Sequence, residues 1–195
     1  MLIIASGSQT RRQMLDAARI PHEVRPARVD EAMVRDSLVA EGAPPRDIAD
    51  KLAEIKALSR SANLSADDLV LGSDQILAHE GAILSKPESR EEALDHLRRL
   101  RASTHDLHAA AVIVEDGRPT WRHVSRARLT MWDVPDDWLR AYVDRNWDDI
   151  RHSVGGYRIE AEGVRLFDRI DGDHFTILGM PLIPLLRHLH IRGYP

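Results

Sequence analysis

Asp74 follows the apolar run Leu69-Val70-Leu71 with only Gly72 and Ser73 between, and Ile76-Leu77-Ala78 resumes the apolar pattern after Gln75. A carboxylate just past a strand that will be buried is costly unless a cation, a metal or a water-filled cleft receives it. Any fold of this chain must therefore bring something to Asp74. The small residues Gly72-Ser73 predict a turn where the strand meets the acid. A comparable junction opens the chain. Leu2-Ile3-Ile4-Ala5 reads as a strand, Ser6-Gly7-Ser8 as a small-residue turn, and Arg11 to Ala18 as a helix with Met14, Leu15 and Ala18 at helical spacing. Ile20-Pro21 ends that helix.

Further elements follow from periodicity and punctuation. His22 to Val29 reads as extended, and Met33 to Glu41 as helical until Gly42. Pro44-Pro45-Arg46-Asp47 reads as a linker or a helix start. Ile48 to Ala62 carries Ile48, Leu52, Ile55 and Leu58 on one face. His79-Glu80-Gly81-Ala82 predicts a hairpin turn. Ser89 caps a helix over Arg90–Leu100, with Glu91 and Glu92 in its first turn. Leu107 to Val114 is a predicted strand, closed by the turn Glu115–Pro119, and Trp121 to Trp132 alternates as its antiparallel partner. Pro135 marks N1 of a helix with Trp138, Leu139, Tyr142 and Val143 on its face. Gly155-Gly156-Tyr157 and Val164–Phe167 read as turns and strands, and Pro181 to Ile191 as a last helix. Strands and helices mix without sustained β-α-β alternation, which predicts an α/β or α+β fold with a mixed sheet.

Composition narrows the chemistry. The chain has 195 residues, a formal net charge of −4, ten histidines and no cysteine. That length predicts a single domain over residues 1–195. Zero Cys excludes a disulfide scaffold, a thiol nucleophile and Cys-ligated metal. A mildly acidic chain lacks the basic footprint that nucleic-acid polymers require. No stretch approaches the ~18 apolar residues of a membrane span, and no basic leader precedes the first apolar run, so a soluble, cytoplasmic protein is expected.

Five stretches can carry chemistry. Ser6-Gly7-Ser8-Gln9-Thr10-Arg11-Arg12 combines free N–H groups at a helix start with hydroxyls and guanidiniums, all suited to phosphate. Asp30-Glu31 offers paired carboxylates for a divalent cation. Lys56, beside the apolar stripe of its helix, and Lys86, displayed before Pro87, offer point charges. Gly72-Ser73-Asp74-Gln75 supplies the buried acid. Each has an ordinary reading too: a helix cap with two solvated arginines, a solvated acidic turn, a snorkelling lysine. Together they form an inventory for a polyphosphate and a divalent metal. His105 and His108 fall on opposite faces of a predicted strand, and no His-Glu-x-x-His pattern occurs, so the histidines read as structural.

In this order and spacing the sequence resembles the Maf family, septum-formation-inhibitor-like nucleotide pyrophosphatases. The matching pieces are Leu2–Ser8 with Arg11-Arg12, Val29-Asp30-Glu31, Lys56-Ala57, Gly72–Gln75, Lys86-Pro87, Leu97 and Leu100 with Thr104-His105, Gly156-Tyr157, and Leu178–Leu182. The resemblance implies hydrolysis of a nucleoside triphosphate to a monophosphate and pyrophosphate with Mg²⁺ or Mn²⁺. It implies an elongated mixed sheet flanked by helices, with a cleft between two lobes, as in inosine-triphosphate pyrophosphatases, and a homodimer. It assigns Asp74, Glu31, Lys56 and Lys86 to catalysis, with Glu31 and Asp74 as metal ligands. Ser6, Ser8, Thr10, Arg11, Arg12, Gln75 and Glu160 fall at substrate-binding positions.

Two family branches differ at three of these places. The branch acting on dTTP and UTP reads Ser-Pro-Arg-Arg in its first motif, with Thr after the catalytic Asp and Gln after the Gly-x-Tyr turn. Here Gln75 and Glu160 match the branch that resembles 7-methyl-GTP pyrophosphatases, and an acid can accept from the N1–H and N2–H of guanine. Thr10 departs from both branches, since the 7-methyl-GTP branch places Trp there. A 7-methyl-GTP-type substrate is therefore expected. The alternatives are a dTTP/UTP pyrophosphatase and a nucleotide-binding regulator of cell division with incidental turnover.

Overall fold

The computed structural model describes residues 1–62, 64–65 and 68–194. The chain divides into two compact units, each assembled from separate stretches: Met1–Gln75 with His108–Ser125 and His174–Pro195, and Ile76–Leu107 with Arg126–Asp173. The strands form a seven-stranded mixed sheet of order β2-β1-β3-β5-β6-β7, with β4 paired to β3. They are β1 (Leu2–Ile4), β2 (His22–Val24), β3 (Leu69–His79), β4 (Ala82–Leu84), β5 (Thr104–Glu115), β6 (Arg118–Met131) and β7 (Phe167–Asp171). The helices are α1 (Gln9–Ala17), α2 (Glu31–Ala40), α3 (Pro45–Leu58), α4 (Arg90–Leu100), α5 (Asp136–Ile150), α6 (His174–Ile177) and α7 (Leu182–Ile191).

In the first unit β1 lies between β2 and β3, parallel to both. A strand covered on both faces reads as an uninterrupted apolar run, and Leu2, Ile3 and Ile4 are fully buried. Side chains alternate across it. Leu2 and Ile4, with their register partners Leu69 and Leu71, join Met14 and Leu15 of α1, Ala111 and Ile113 of β5, and Leu182, Leu185 and Leu189 of α7 in one core. Ile3 and Val70 point to the other face, where α3 lies. Gly72 shares that face, and a Cβ there would run into the Ala53 carbonyl of α3.

That contact corrects the expected turn at Gly72-Ser73. β3 runs unbroken from Leu69 to His79. Gly72 has no positive φ among those recorded; it is small because a helix backbone crosses it. The strand at His22 is shorter than expected, ending at Val24, and α3 starts at Pro45 and ends at Leu58 rather than Ala62.

In the second unit β3 and β4 form the expected hairpin, with Glu80 and Gly81 at φ 48° and 78°. α4 begins after Ser89, whose hydroxyl accepts from the Glu92 N–H at 3.1 Å. Pro135 is the cap of α5 rather than its first residue. Val164 to Leu166 lies in a 3-10 helix, Glu162–Leu166, so the predicted strand begins only at Phe167. Among the described residues no helix is long and apolar enough to cross a membrane.

Candidate active site

Strand alternation places Asp74 on the α3 face of β3, together with Val70 and Gly72. α3 buries Ile48, Ala49, Leu52, Ala53, Lys56 and Ala57, so Lys56 continues the 48–52–56 line of that face. Expected beside the stripe, Lys56 instead lies within it and is only 4% exposed. Its ammonium donates to Asp74 Oδ1 at 2.5 Å and stands 2.8 Å from Glu31 Oε2. Two carboxylates thus share one buried cation. The tight packing of Gly72 on α3 sets the distance.

Of the paired acids Asp30-Glu31, one serves the helix and the other the site. Asp30 caps α2, its Oδ1 accepting from the Met33 N–H at 3.0 Å. Glu31, in the first turn, is half exposed and reaches Lys56. Among the described residues no group of three or more His, Cys, Asp and Glu could hold a metal ion.

The opposite face of β3 carries Ser73 and Gln75. Both bind the segment that leads into α7, whose leucines cover this face. Ser73 Oγ donates to the Gly179 carbonyl at 3.2 Å, and Gln75 Nε2 donates to the carbonyls of Thr176 and Ile177, each at 2.9 Å. Arg11 completes the knot. Its Nε donates to the Gly179 carbonyl at 2.8 Å, and one terminal nitrogen donates to the Ser73 carbonyl at 3.0 Å and to Ser6 Oγ at 3.4 Å. Burial lowers the Arg11 pKa from its ordinary value, while Asp74 and then Glu31 act to raise it. Two cations and two carboxylates therefore balance across this part of β3.

Ser8 caps α1, its hydroxyl accepting from the Arg11 N–H at 3.4 Å, and its own N–H donates to Ser6 Oγ at 3.2 Å. Thr10 is half-buried in the first turn of α1, while Arg12 is exposed with Nε 3.6 Å from Asp16. The first unit thus brings together Ser6, Ser8, Arg11, Glu31, Lys56, Asp74 and Gln75. Lys86 and Glu160 belong to the second unit. Lys86 is exposed before the buried Pro87, on a loop where the Gly155 N–H approaches the Ser85 carbonyl at 3.5 Å. Glu160 Oε1 accepts from Arg158 Nε at 2.8 Å.

Ser73 and Gly179 were not singled out as site residues from the sequence. Gly179 has φ 104°, a conformation strained for any other residue, and a Cβ on it would stand in van der Waals contact with the Arg11 guanidinium and the Gln75 amide. The signal was a Gly ahead of Met-Pro, which marks a bend without telling what bends around it.

A family model described as Maf-like protein matches residues 1–191. The chain belongs to the Maf-like family. A nucleoside triphosphate pyrophosphatase of Roseobacter denitrificans is 55% identical over 192 residues, 98% of this chain and 96% of the relative. One of Ruegeria pomeroyi is 54% identical with the same coverage of both chains. A 7-methyl-GTP pyrophosphatase of Rhizobium etli is 41% identical over 98% of this chain and 96% of the relative.

Proposed function

We propose that this protein is a nucleoside triphosphate pyrophosphatase, a hydrolase that cleaves the α–β phosphate bond to give a nucleoside monophosphate and pyrophosphate. The observation that carries the chemistry is the buried Lys56 ammonium shared by Asp74 and Glu31. Relatives at 54–55% identity over nearly the whole chain carry that activity in their names.

The reaction needs a water oxygen to attack the α-phosphorus as the bond to the bridging oxygen breaks. The water proton is taken by the Asp74 carboxylate, and pyrophosphate leaves with the electrons of the broken bond. Lys56 holds Oδ1 of that carboxylate and so fixes where its second oxygen points. As negative charge grows on the leaving pyrophosphate, Lys56, Lys86 and Arg12 are the proposed cations that neutralise it. The hydroxyls of Ser6, Ser8 and Thr10 and the N–H groups at the start of α1 offer further donors. Arg11, tied to two carbonyls, keeps the α1 turn, β3 and the Gly179 segment together.

A divalent cation fits the donor set. Asp74 and Glu31 each give one oxygen to Lys56, and their remaining oxygens are hard donors of the kind Mg²⁺ or Mn²⁺ prefers, with Mg²⁺ commonly completing its shell with phosphates and water. When bound, such an ion would polarise the phosphate oxygens. For the base, Gln75 and Glu160 support a 7-methyl-GTP-type substrate, with the Glu160 carboxylate accepting from guanine N1–H and N2–H. The relative named for that activity is 41% identical. Action on free nucleotide in the cytoplasm as a homodimer completes the proposal, with the dimer open to light scattering.

The test is pyrophosphate release from a panel of nucleoside triphosphates with Mn²⁺, on the wild type and on Asp74→Asn. Wild type should turn over at least one triphosphate, and Asp74→Asn should lose about 10²-fold or more in kcat. Absence of turnover across the panel refutes the enzyme and leaves the binding-regulator alternative. Glu160→Gln with Gln75→Thr should move preference from 7-methyl-GTP towards dTTP and UTP, and unchanged relative rates would remove the base assignment.

A further inference from the structure

Glu160 sits in an irregular stretch, between two short 3-10 helices, Val154–Gly156 and Glu162–Leu166. Such a stretch has no ladder of backbone hydrogen bonds to hold a side chain at a set point. Two tyrosine hydroxyls do that work here, both in the same compact unit as Glu160. Upstream, Tyr157 is 5% exposed, and its hydroxyl shares a 2.7 Å hydrogen bond with Nε2 of His105 on β5. His105 is 1% exposed, and its Nδ1 has no partner among the described residues, so Tyr157 is what orients the ring. Phe167 packs against both rings, 4.9 Å from Tyr157 and 6.0 Å from His105.

Immediately downstream, the Arg158 backbone N–H donates to the Tyr142 hydroxyl from α5. A Cβ on Gly163 would lie 2.7 Å from that same hydroxyl, so the chain folds back over it. Arg158 in turn holds Glu160 Oε1 through Nε and stands 3.3 Å from Asp149 through a terminal nitrogen. Burial pushes both tyrosine hydroxyls above their ordinary range and His105 down to about 4, so all three groups stay neutral near pH 7. Neutral partners hold their geometry without being released by a neighbouring phosphate charge.

We propose that Tyr142 and the His105–Tyr157 pair are specificity-positioning residues, which fix the segment 157–163 so that the Glu160 carboxylate meets the nucleobase edge. This rests on the reading of Glu160 given above. Neither tyrosine touches the base; each acts through the backbone and Arg158. A displaced carboxylate would weaken one base relative to another, whereas a merely looser fold would slow all substrates alike.

The experiment measures kcat/KM for 7-methyl-GTP and for dTTP on wild type, Tyr157→Phe, Tyr142→Phe, Glu160→Gln and Tyr157→Phe/Glu160→Gln, well below each melting temperature. Each Tyr→Phe change should lower the 7-methyl-GTP to dTTP ratio about tenfold, mainly through KM for 7-methyl-GTP. In the Glu160→Gln background Tyr157→Phe should change the ratio no further. The proposal is overturned if the Tyr→Phe variants slow both substrates equally, or if their effect persists without Glu160. If Glu160→Gln leaves the wild-type ratio unchanged, the base reading itself has failed and the positioning role falls with it. Should Tyr157→Phe not fold, Tyr142→Phe with Glu160→Gln runs the same cycle.

Discussion

Replacing Lys56 by Met removes the one ammonium that Asp74 and Glu31 share. The two contacts differ in worth. Glu31 is 49% exposed, so water and salt screen its attraction to Lys56, which contributes ~0.5–1 kcal/mol. Asp74 has a side chain only 9% exposed and a 2.5 Å contact. Without Lys56 the buried carboxylate loses its direct partner and keeps only the longer-range attraction of Arg11, and breaking a buried pair in this way costs about 3–5 kcal/mol. The methionine fills the volume of the lysine stem, which limits any cavity contribution. Lys56→Met should therefore lose about 3–5 kcal/mol in urea denaturation at pH 7.5. Lys56→Met/Asp74→Asn, with no stranded charge, should lose at least ~2 kcal/mol less than the two single losses added. A Lys56→Met cost below about 1 kcal/mol, or strict additivity, would refute the buried-pair reasoning. In both cases pyrophosphate release should be abolished, since the carboxylate geometry is lost.

Three further outcomes follow from the same geometry. Gly72→Ala places a methyl against the Ala53 carbonyl and 2.7 Å from the Ala57 nitrogen, backbone atoms that cannot swing away; a loss of about 1–3 kcal/mol should appear as a lower calorimetric Tm, and an unchanged Tm would mean that α3 does not bear on β3 there. His105 has its folded pKa held near 4 by burial, and then by His79, against the ordinary histidine value of about 6.5. The unfolded chain takes up that proton first as pH falls, so stability is full above about 6.5 and is lost between about 6.5 and 4, by up to ~3 kcal/mol. Urea midpoints across that window should slope less in His105→Gln, and an identical slope would clear His105 of the effect. Asp30→Asn keeps the α2 cap and should leave Mn²⁺-dependent activity and stability near wild type. Glu31→Gln should raise the Mn²⁺ concentration needed for half-maximal rate, and equal effects from the two changes would undo the division of labour between these acids.

Much of the local structure was legible because its causes are local. Ser89 with Glu92 three residues on starts α4 at Arg90, and Glu80-Gly81 turns β3 into β4, since capping and turn geometry act within four residues. The 48–52–56 line of α3 was partly visible too, yet Lys56 looked like its edge. A charged residue at that spacing fits a snorkelling stem as well as a buried ammonium, and only the carboxylates of Glu31 and Asp74 decide between them. The Gly72-Ser73 pair misled for a related reason. Smallness is read as a turn, but here it answers a helix backbone arriving from 15 to 19 residues earlier in the chain.

The residue types at 6–12, 30–31, 56 and 72–75, and their order along the chain, already read as an inventory for a polyphosphate and a divalent cation, because donors, acceptors and charges belong to side chains. Tertiary structure decided which of them meet. The parallel register of β1 and β3 and the unbroken run of β3 send Asp74 to the α3 face and Ser73 and Gln75 to the α7 face. Gly179 closes the knot with Arg11, 168 residues away in sequence. Alternation along a strand sorts neighbours onto opposite faces, but what waits on each face is set by packing between distant segments, and no window of sequence contains it.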